Sequence, residues 1–115
     1  MESLQIYADK IGWNFYIEHG VGTIISAECI GENCWVNQSV TIGYNLDNKA
    51  PTIQNGVRIC TGATVLGGIT VENNSIIAAG AVVLRNVEEN SVMAGVPAKL
   101  VKYNLEHKLW IGHGY

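Results

Sequence analysis

Apolar residues recur every six positions along most of the chain. Ile53, Ile59, Val65, Val71, Ile77 and Val83 hold one unbroken frame, and Ile24, Ile30, Val36 and Ile42 hold another upstream. A period of six fits neither the 3.6-residue helix nor a strand alternation closed by hairpins. It is the period of a parallel β-helix, in which short strands wind into stacked coils. With three strands per coil, residues eighteen apart stack at the strand spacing of about 4.8 Å. Ile53 then lies under Val71, Ile59 under Ile77, and Val65 under Val83, each column an inward aliphatic ladder.

The residues between the frame positions support this reading. Val57, Ala63, Ile69, Ser75, Ala81 and Val87 follow each frame position by four, and most are small or β-branched. Such residues suit a crowded interior near a corner. Gly31, Asn33, Gly62, Gly67, Gly68, Asn73, Asn74 and Gly80 recur between them. Gly and Asn tolerate the positive φ that a sharp corner demands.

The frame also marks its own interruptions. Residues 1–10 form a lead-in of undefined state, and the first rungs are expected at Ile11 and Ile17. The step from Ile17 to Ile24 is seven, so one extra residue sits there. The step from Ile42 to Ile53 is eleven, so a loop must be extruded. Residues 44–51 (Tyr-Asn-Leu-Asp-Asn-Lys-Ala-Pro) are polar and turn-rich, as an excursion loop should be. The β-helix is expected over 11–98. After Pro97 the repeat stops, and residues 99–115 read as a short helix or as an extended tail docked on the last coil.

Composition narrows the function. A chain of 115 residues is one domain with a modest core. The open edges of a short β-helix favour self-association. The net charge of −3 and scattered basic residues argue against a nucleic-acid partner. No apolar run is long enough to span a bilayer. The start, Met1-Glu2-Ser3-Leu4, lacks the basic and apolar regions of a signal peptide, which points to the cytoplasm. Cys29, Cys34 and Cys60 lack C-x-x-C spacing and read as small buried thiols in a reducing compartment. No metal triad is present, and no metal is expected.

Of the histidines, His107 and His113 lie beyond the repeat and read as surface or packing residues. His19 differs. In Tyr16-Ile17-Glu18-His19-Gly20, Ile17 takes the inward position, which leaves Glu18 outward and His19 near a corner. An outward His beside a carboxylate and a glycine is a candidate general base.

Residues 17–99 resemble the serine acetyltransferase branch of the left-handed β-helix (hexapeptide) acyltransferases. The matching pieces are Glu18-His19, the run from Val36 to Gly43, the loop ending at Pro51, the run from Ala78 to Val83, and the closing Ala94-Gly95-Val96-Pro97-Ala98-Lys99. The resemblance implies a homotrimer, with acetyl-CoA as co-substrate lying between neighbouring β-helices. It implies direct acetyl transfer to a hydroxyl, with His19 as base and Glu18 at the acceptor. Gly43, Thr61, Gly62, Ala79 and Lys99 fall on stretches that line the coenzyme groove, Lys99 as a point charge for phosphate.

The chain also departs from that family. Where the family's loop reads Asp-Arg-His-Pro, this one reads Asn48-Lys49-Ala50-Pro51. The second active-site His is thus Ala50, and the carboxylate-binding Arg is Lys49. The Asp that orients the base would fall near Leu4, with Asp9 the nearest Asp, and no counterpart of the family's N-terminal helical domain is matched. Losing the Arg fork weakens bidentate carboxylate recognition. A sugar or polysaccharide hydroxyl would not need it. The rival reading from another class is a non-catalytic trimeric β-helix scaffold.

Overall fold

The computed structural model describes residues 4–105. Residues 106–115, which hold part of the expected C-terminal helix or tail with His107 and His113, lie outside the described residues, as do residues 1–3.

The described residues form strands and turns without a helix. The strands in chain order are β1 (Leu4–Ile11), β2 (Tyr16–Ile17), β3 (Thr23–Ile30), β4 (Trp35–Val36), β5 (Thr41–Gly43), β6 (Thr52–Ile53), β7 (Arg58–Ile59), β8 (Thr64–Leu66), β9 (Thr70–Val71), β10 (Ile76–Ile77), β11 (Val82–Val83), β12 (Ser91–Ala94) and β13 (Lys99–Tyr103). They stack as a parallel β-helix with three sides. The first side carries the early part of β1 and of β3, then β5, β8 and β11. The second carries the late part of β1 and of β3, then β6 and β9. The third carries β2, β4, β7, β10 and β12.

The expected columns are present. Ile53 pairs with Val71, Ile59 with Ile77, and Val65 with Val83. These residues fill one continuous core with Val57, Ala63, Ala81 and Val87. Cys34 and Cys60 are buried free thiols, and Cys29 is half-buried.

Two expectations are corrected, and a third is decided between its alternatives. The lead-in is already part of the β-helix, because Leu4 to Ile11 pair in register with β3 and place Ile6 and Ala8 against the core. The first coil therefore starts before Ile11. Second, Ile24 is not inward. It is 41% exposed, whereas Ile25 is 0% exposed and pairs with Ile42. The buried Thr23 hydroxyl donates to the Asn37 carbonyl at 2.9 Å and sets the strand's alternation. Positions 23, 25 and 27 then face inward and Ile24 faces out. The step from Ile17 to the inward Ile25 is eight and that from Ile25 to Ile30 is five, so two residues are added before Thr23 and one is lost within β3. Third, of the two readings of the C-terminal segment, the extended one holds for residues 99–103. They form β13, antiparallel to β12, which covers the open edge of the last third-side strand.

The corner between the second and third sides explains the recurring Asn and Gly. Its left-handed residues are Asn14, Asn33, Gly56, Asn74 and Asn90. Side-chain amides continue the coil stacking there, with the Asn73 side chain accepting from the Asn55 backbone N–H at 2.9 Å. At Gly56 a Cβ would collide with the side-chain oxygen of Asn74, which would have to shift. On the outer face of the third side, Arg58 is buried with its guanidinium 5.4 Å over the Trp35 ring. Tyr16 stacks on Trp35 with ring centroids 4.2 Å apart.

Candidate active site

The corner between the third and first sides is a continuous column. Its rungs are residues 18–22, 37–40, 60–63 and 78–81, closed below by 94–98. Backbone bonds link them in sequence: Ser39 N–H to the Val21 carbonyl (2.9 Å), Gly62 N–H to Gln38 (3.1 Å), Gly80 N–H to Thr61 (3.0 Å) and Val82 N–H to Gly95 (3.0 Å). The topology therefore brings Glu18, His19, Thr61, Gly62 and Ala79 onto one corner. Four strand spacings separate the first rung from the last, about 19 Å. Such a surface suits an extended ligand rather than a compact one.

His19 is exposed at the top of this column and Glu18 is half-buried. The Glu18 backbone N–H donates to Val36 at 2.8 Å, which fixes the chain just before the corner. His19 itself is left-handed, with φ of 52°. Its carbonyl accepts from the Val21 N–H at 2.6 Å, a tight local turn. A non-glycine residue held in this region marks a position where the surroundings dictate the backbone.

The lower end of the column opens into a cleft of about 430 Å³ lined by Val83, Leu84, Arg85, Met93, Pro97, Ala98 and Lys99. Lys99 stands where β13 begins, held there because Ala98 N–H donates to Val82 at 2.8 Å. Arg85 lines the same cleft and was missed in the sequence. Its signal is weak: one basic residue two positions after Val83, without a motif of its own.

Gly43 lies elsewhere. It ends β5 at the corner between the first and second sides, where the Gly67 N–H donates to its carbonyl at 3.0 Å. Residues 44–51 leave the coil there, as expected for the excursion loop. A second cleft, about 490 Å³ and open to solvent, is lined by Glu28, Tyr44, Asn48, Lys49, Ala50, Thr52, Gly68, Ile69 and Thr70. Glu28, Thr52 and Thr70 escaped the sequence reading, because only the coil stacking sets them beside the loop. Within one chain this loop and His19 occupy different corners of the prism. The structure does not bring Asn48, Lys49 or Ala50 onto the His19 corner.

Residues 50–85 match the family described as bacterial transferase hexapeptide (six repeats). The chain carries the hexapeptide repeat of those transferases. A serine acetyltransferase of Bacillus licheniformis is 46% identical over 99 residues, covering 83% of this chain and 46% of that protein. That of Bacillus subtilis is 45% identical over 98 residues, covering 82% and 45%. Among solved structures, serine acetyltransferase from Brucella abortus in complex with coenzyme A matches with a TM-score of 0.79 at 34% identity, over 87% of this chain and 42% of that one. The Neisseria gonorrhoeae serine acetyltransferase in complex with serine matches with a TM-score of 0.79 at 31% identity, over 86% and 42%. The chain thus spans under half the length of these relatives.

Proposed function

We propose that this chain is an acetyl-CoA-dependent O-acetyltransferase acting on an alcohol hydroxyl. The observation that carries the reading is the His19 corner, with a candidate base at its top and two cations, Arg85 and Lys99, lining a cleft at its foot. Acetyl-CoA lies along Thr61, Gly62 and Ala79, its phosphates near Lys99 and Arg85. His19 takes the proton of the acceptor hydroxyl. The oxygen forms a bond to the thioester carbonyl carbon, the C–S bond breaks, and the leaving thiolate collects the proton. Backbone N–H groups stabilise the transient oxyanion. Glu18, beside His19, contacts the acceptor.

The loop at residues 44–51 and Gly43 stand one corner away from His19, so one chain offers only half of a closed site. A neighbouring copy supplies the other half, which supports a homotrimer. The buried free thiols fit a cytoplasmic enzyme. The acceptor is serine or a sugar hydroxyl. Ala50 and Lys49 favour the sugar, because neither offers the bidentate fork that an amino-acid carboxylate prefers.

The test is release of free coenzyme A thiol from acetyl-CoA with L-serine and with a panel of nucleotide sugars. His19→Ala should lose about 10² to 10⁴ in kcat, the usual contribution of a positioned base. Light scattering should show a trimer in both proteins. Near wild-type transfer by His19→Ala would remove His19 from the chemistry. No transfer to any acceptor by the wild type would leave the scaffold reading.

A further inference from the structure

The excursion loop is not loosely attached. Asp47 lies at its tip beside Leu46, and its carboxylate faces back toward the coil. Oδ2 accepts the Gly68 N–H at 2.9 Å and Oδ1 accepts the Lys49 N–H at 3.1 Å. One side chain therefore ties the loop to itself and to the corner one coil below. Further local bonds support this shape. The Asn45 side-chain oxygen accepts from Leu46 N–H at 2.8 Å, and the Asn45 carbonyl accepts from Asn48 N–H at 2.9 Å.

The landing site is shaped for this clasp. It is the pair Gly67-Gly68, the only adjacent glycines in the chain. A Cβ at Gly68 would stand 2.8 Å from Lys49 Cβ and 3.2 Å from Asp47 Oδ2. A Cβ at Gly67, whose φ is 97°, would stand 3.3 Å from Asn45 Cβ. Bare backbone lets the loop lie flat on the corner and leaves the Gly68 N–H open to the carboxylate. The same backbone donors, Gly68 first and then Lys49, hold the Asp47 carboxyl below its ordinary value of 3.8. Asp47 is thus ionised, and its carboxylate is held chiefly by main-chain donors, with a smaller contribution from the Lys49 charge.

We propose that Asp47 is a positioning residue that locks the loop in one conformation and so presents Asn48 and Lys49 to the acceptor. This rests on the reading of residues 44–51 as the acceptor element. The clasp makes the loop a rigid wall rather than a lid that closes on binding. Glu28, Tyr44, Thr52 and Thr70 complete the wall of the cleft, so that hydroxyls, one amide, one ammonium and one carboxylate line it, a set suited to a polyhydroxylated acceptor.

Two variants and two readouts test it. Asp47→Ala removes both acceptors; Asp47→Asn keeps one carbonyl oxygen and should restore part of the effect. Hydrogen exchange at the Gly68 and Lys49 amides should speed up in Asp47→Ala and less in Asp47→Asn. If the productive loop conformation falls to roughly a tenth of the population, apparent acceptor affinity falls about tenfold. The acceptor KM, for L-serine or for whichever nucleotide sugar is turned over, should then rise by that factor. The KM for acetyl-CoA and the oligomeric state should not move. Gly68→Ala should reproduce the same split with the carboxylate intact. Unchanged exchange in Asp47→Ala would overturn the clasp. Faster exchange with an unchanged acceptor KM would overturn its positioning role. If the wild type acetylates none of these acceptors, the acyltransferase reading and the positioning role fall together, while the exchange experiment still decides whether the clasp exists.

Discussion

Replacing Ile25 or Ile24 with alanine separates the observed register from the one a strict six-residue frame would impose. Ile25 is 0% exposed and stacks between Ile6 and Ile42. Ile→Ala removes three carbons, about 2.4 kcal/mol of transfer free energy at roughly 0.8 kcal/mol per methylene. The stacked coils are tied by hydrogen bonds on both edges and cannot collapse into the space, so a cavity term adds to this. The total should be about 3–4 kcal/mol, within the usual 2–5 kcal/mol for such truncations. Ile24 is 41% exposed and faces outward, so water fills the space its side chain leaves. Ile24→Ala should cost about 1 kcal/mol or less. Urea denaturation followed by far-UV circular dichroism measures both, and an unchanged m-value would license the comparison. Both variants must be compared at equal protomer concentration, since association adds to apparent stability. Repeating the titration at a tenfold lower concentration isolates any intersubunit share of Ile24. A loss for Ile24→Ala that equals or exceeds that for Ile25→Ala at both concentrations would refute the alternation set by Thr23.

Two further outcomes are expected. Lys99→Ala and Arg85→Ala should each weaken acetyl-CoA binding, mainly at low salt, because a point charge meeting phosphate is screened within about 10 Å at 0.1 M ionic strength; calorimetry showing equal affinity for wild type and both variants at low salt would move the phosphates elsewhere. Burial pushes the Cys34 thiol up to about 11, against backbone bonds that act the other way, and its Sγ donates to the Gln54 carbonyl at 2.9 Å. The unfolded thiol ionises near 9 and the folded one later, so this group removes stability as pH rises from about 9 to 11 and is neutral below. Iodoacetamide at neutral pH should therefore spare Cys34 while the half-buried Cys29 reacts; equal labelling of the two in the folded protein would contradict the burial argument.

The lower coils were legible in the sequence because each rung there repeats the same local rule. Between Ile53 and Val83 the inward positions are aliphatic except for Ser75, and every corner holds Gly, Asn or another small residue. Eighteen-residue stacking then follows from geometry alone. The excursion loop was equally legible, since an eleven-residue step cannot fit one rung. The upper coils were not. Ile24 and Ile25 are identical residues, and a strict period of six selects Ile24; a buried hydroxyl bonded across to Asn37 decided for Ile25. The lead-in strand was hidden because Leu4 to Ile11 carries only one partial alternation and gains its pairing from β3, twelve or more residues away. Residues 99–103 alternate weakly enough to pass for a helix, and only the open edge of β12 makes them a strand.

The candidate site divides the same way. Glu18-His19 and the closing Pro97-Ala98-Lys99 stand out in sequence because they break the repeat with chemically active types. Coil stacking, which no local pattern encodes, placed Arg85 beside Lys99 and set Gly43 on a different corner from Thr61, Gly62 and Ala79. Asp47 reads in sequence as one polar loop residue among several. Its role emerges only when the chain has wound one further coil and brought the bare backbone of Gly68 beneath it. A six-residue repeat determines that the chain coils; the irregular residues acquire their meaning from whichever rung the coil lays beside them.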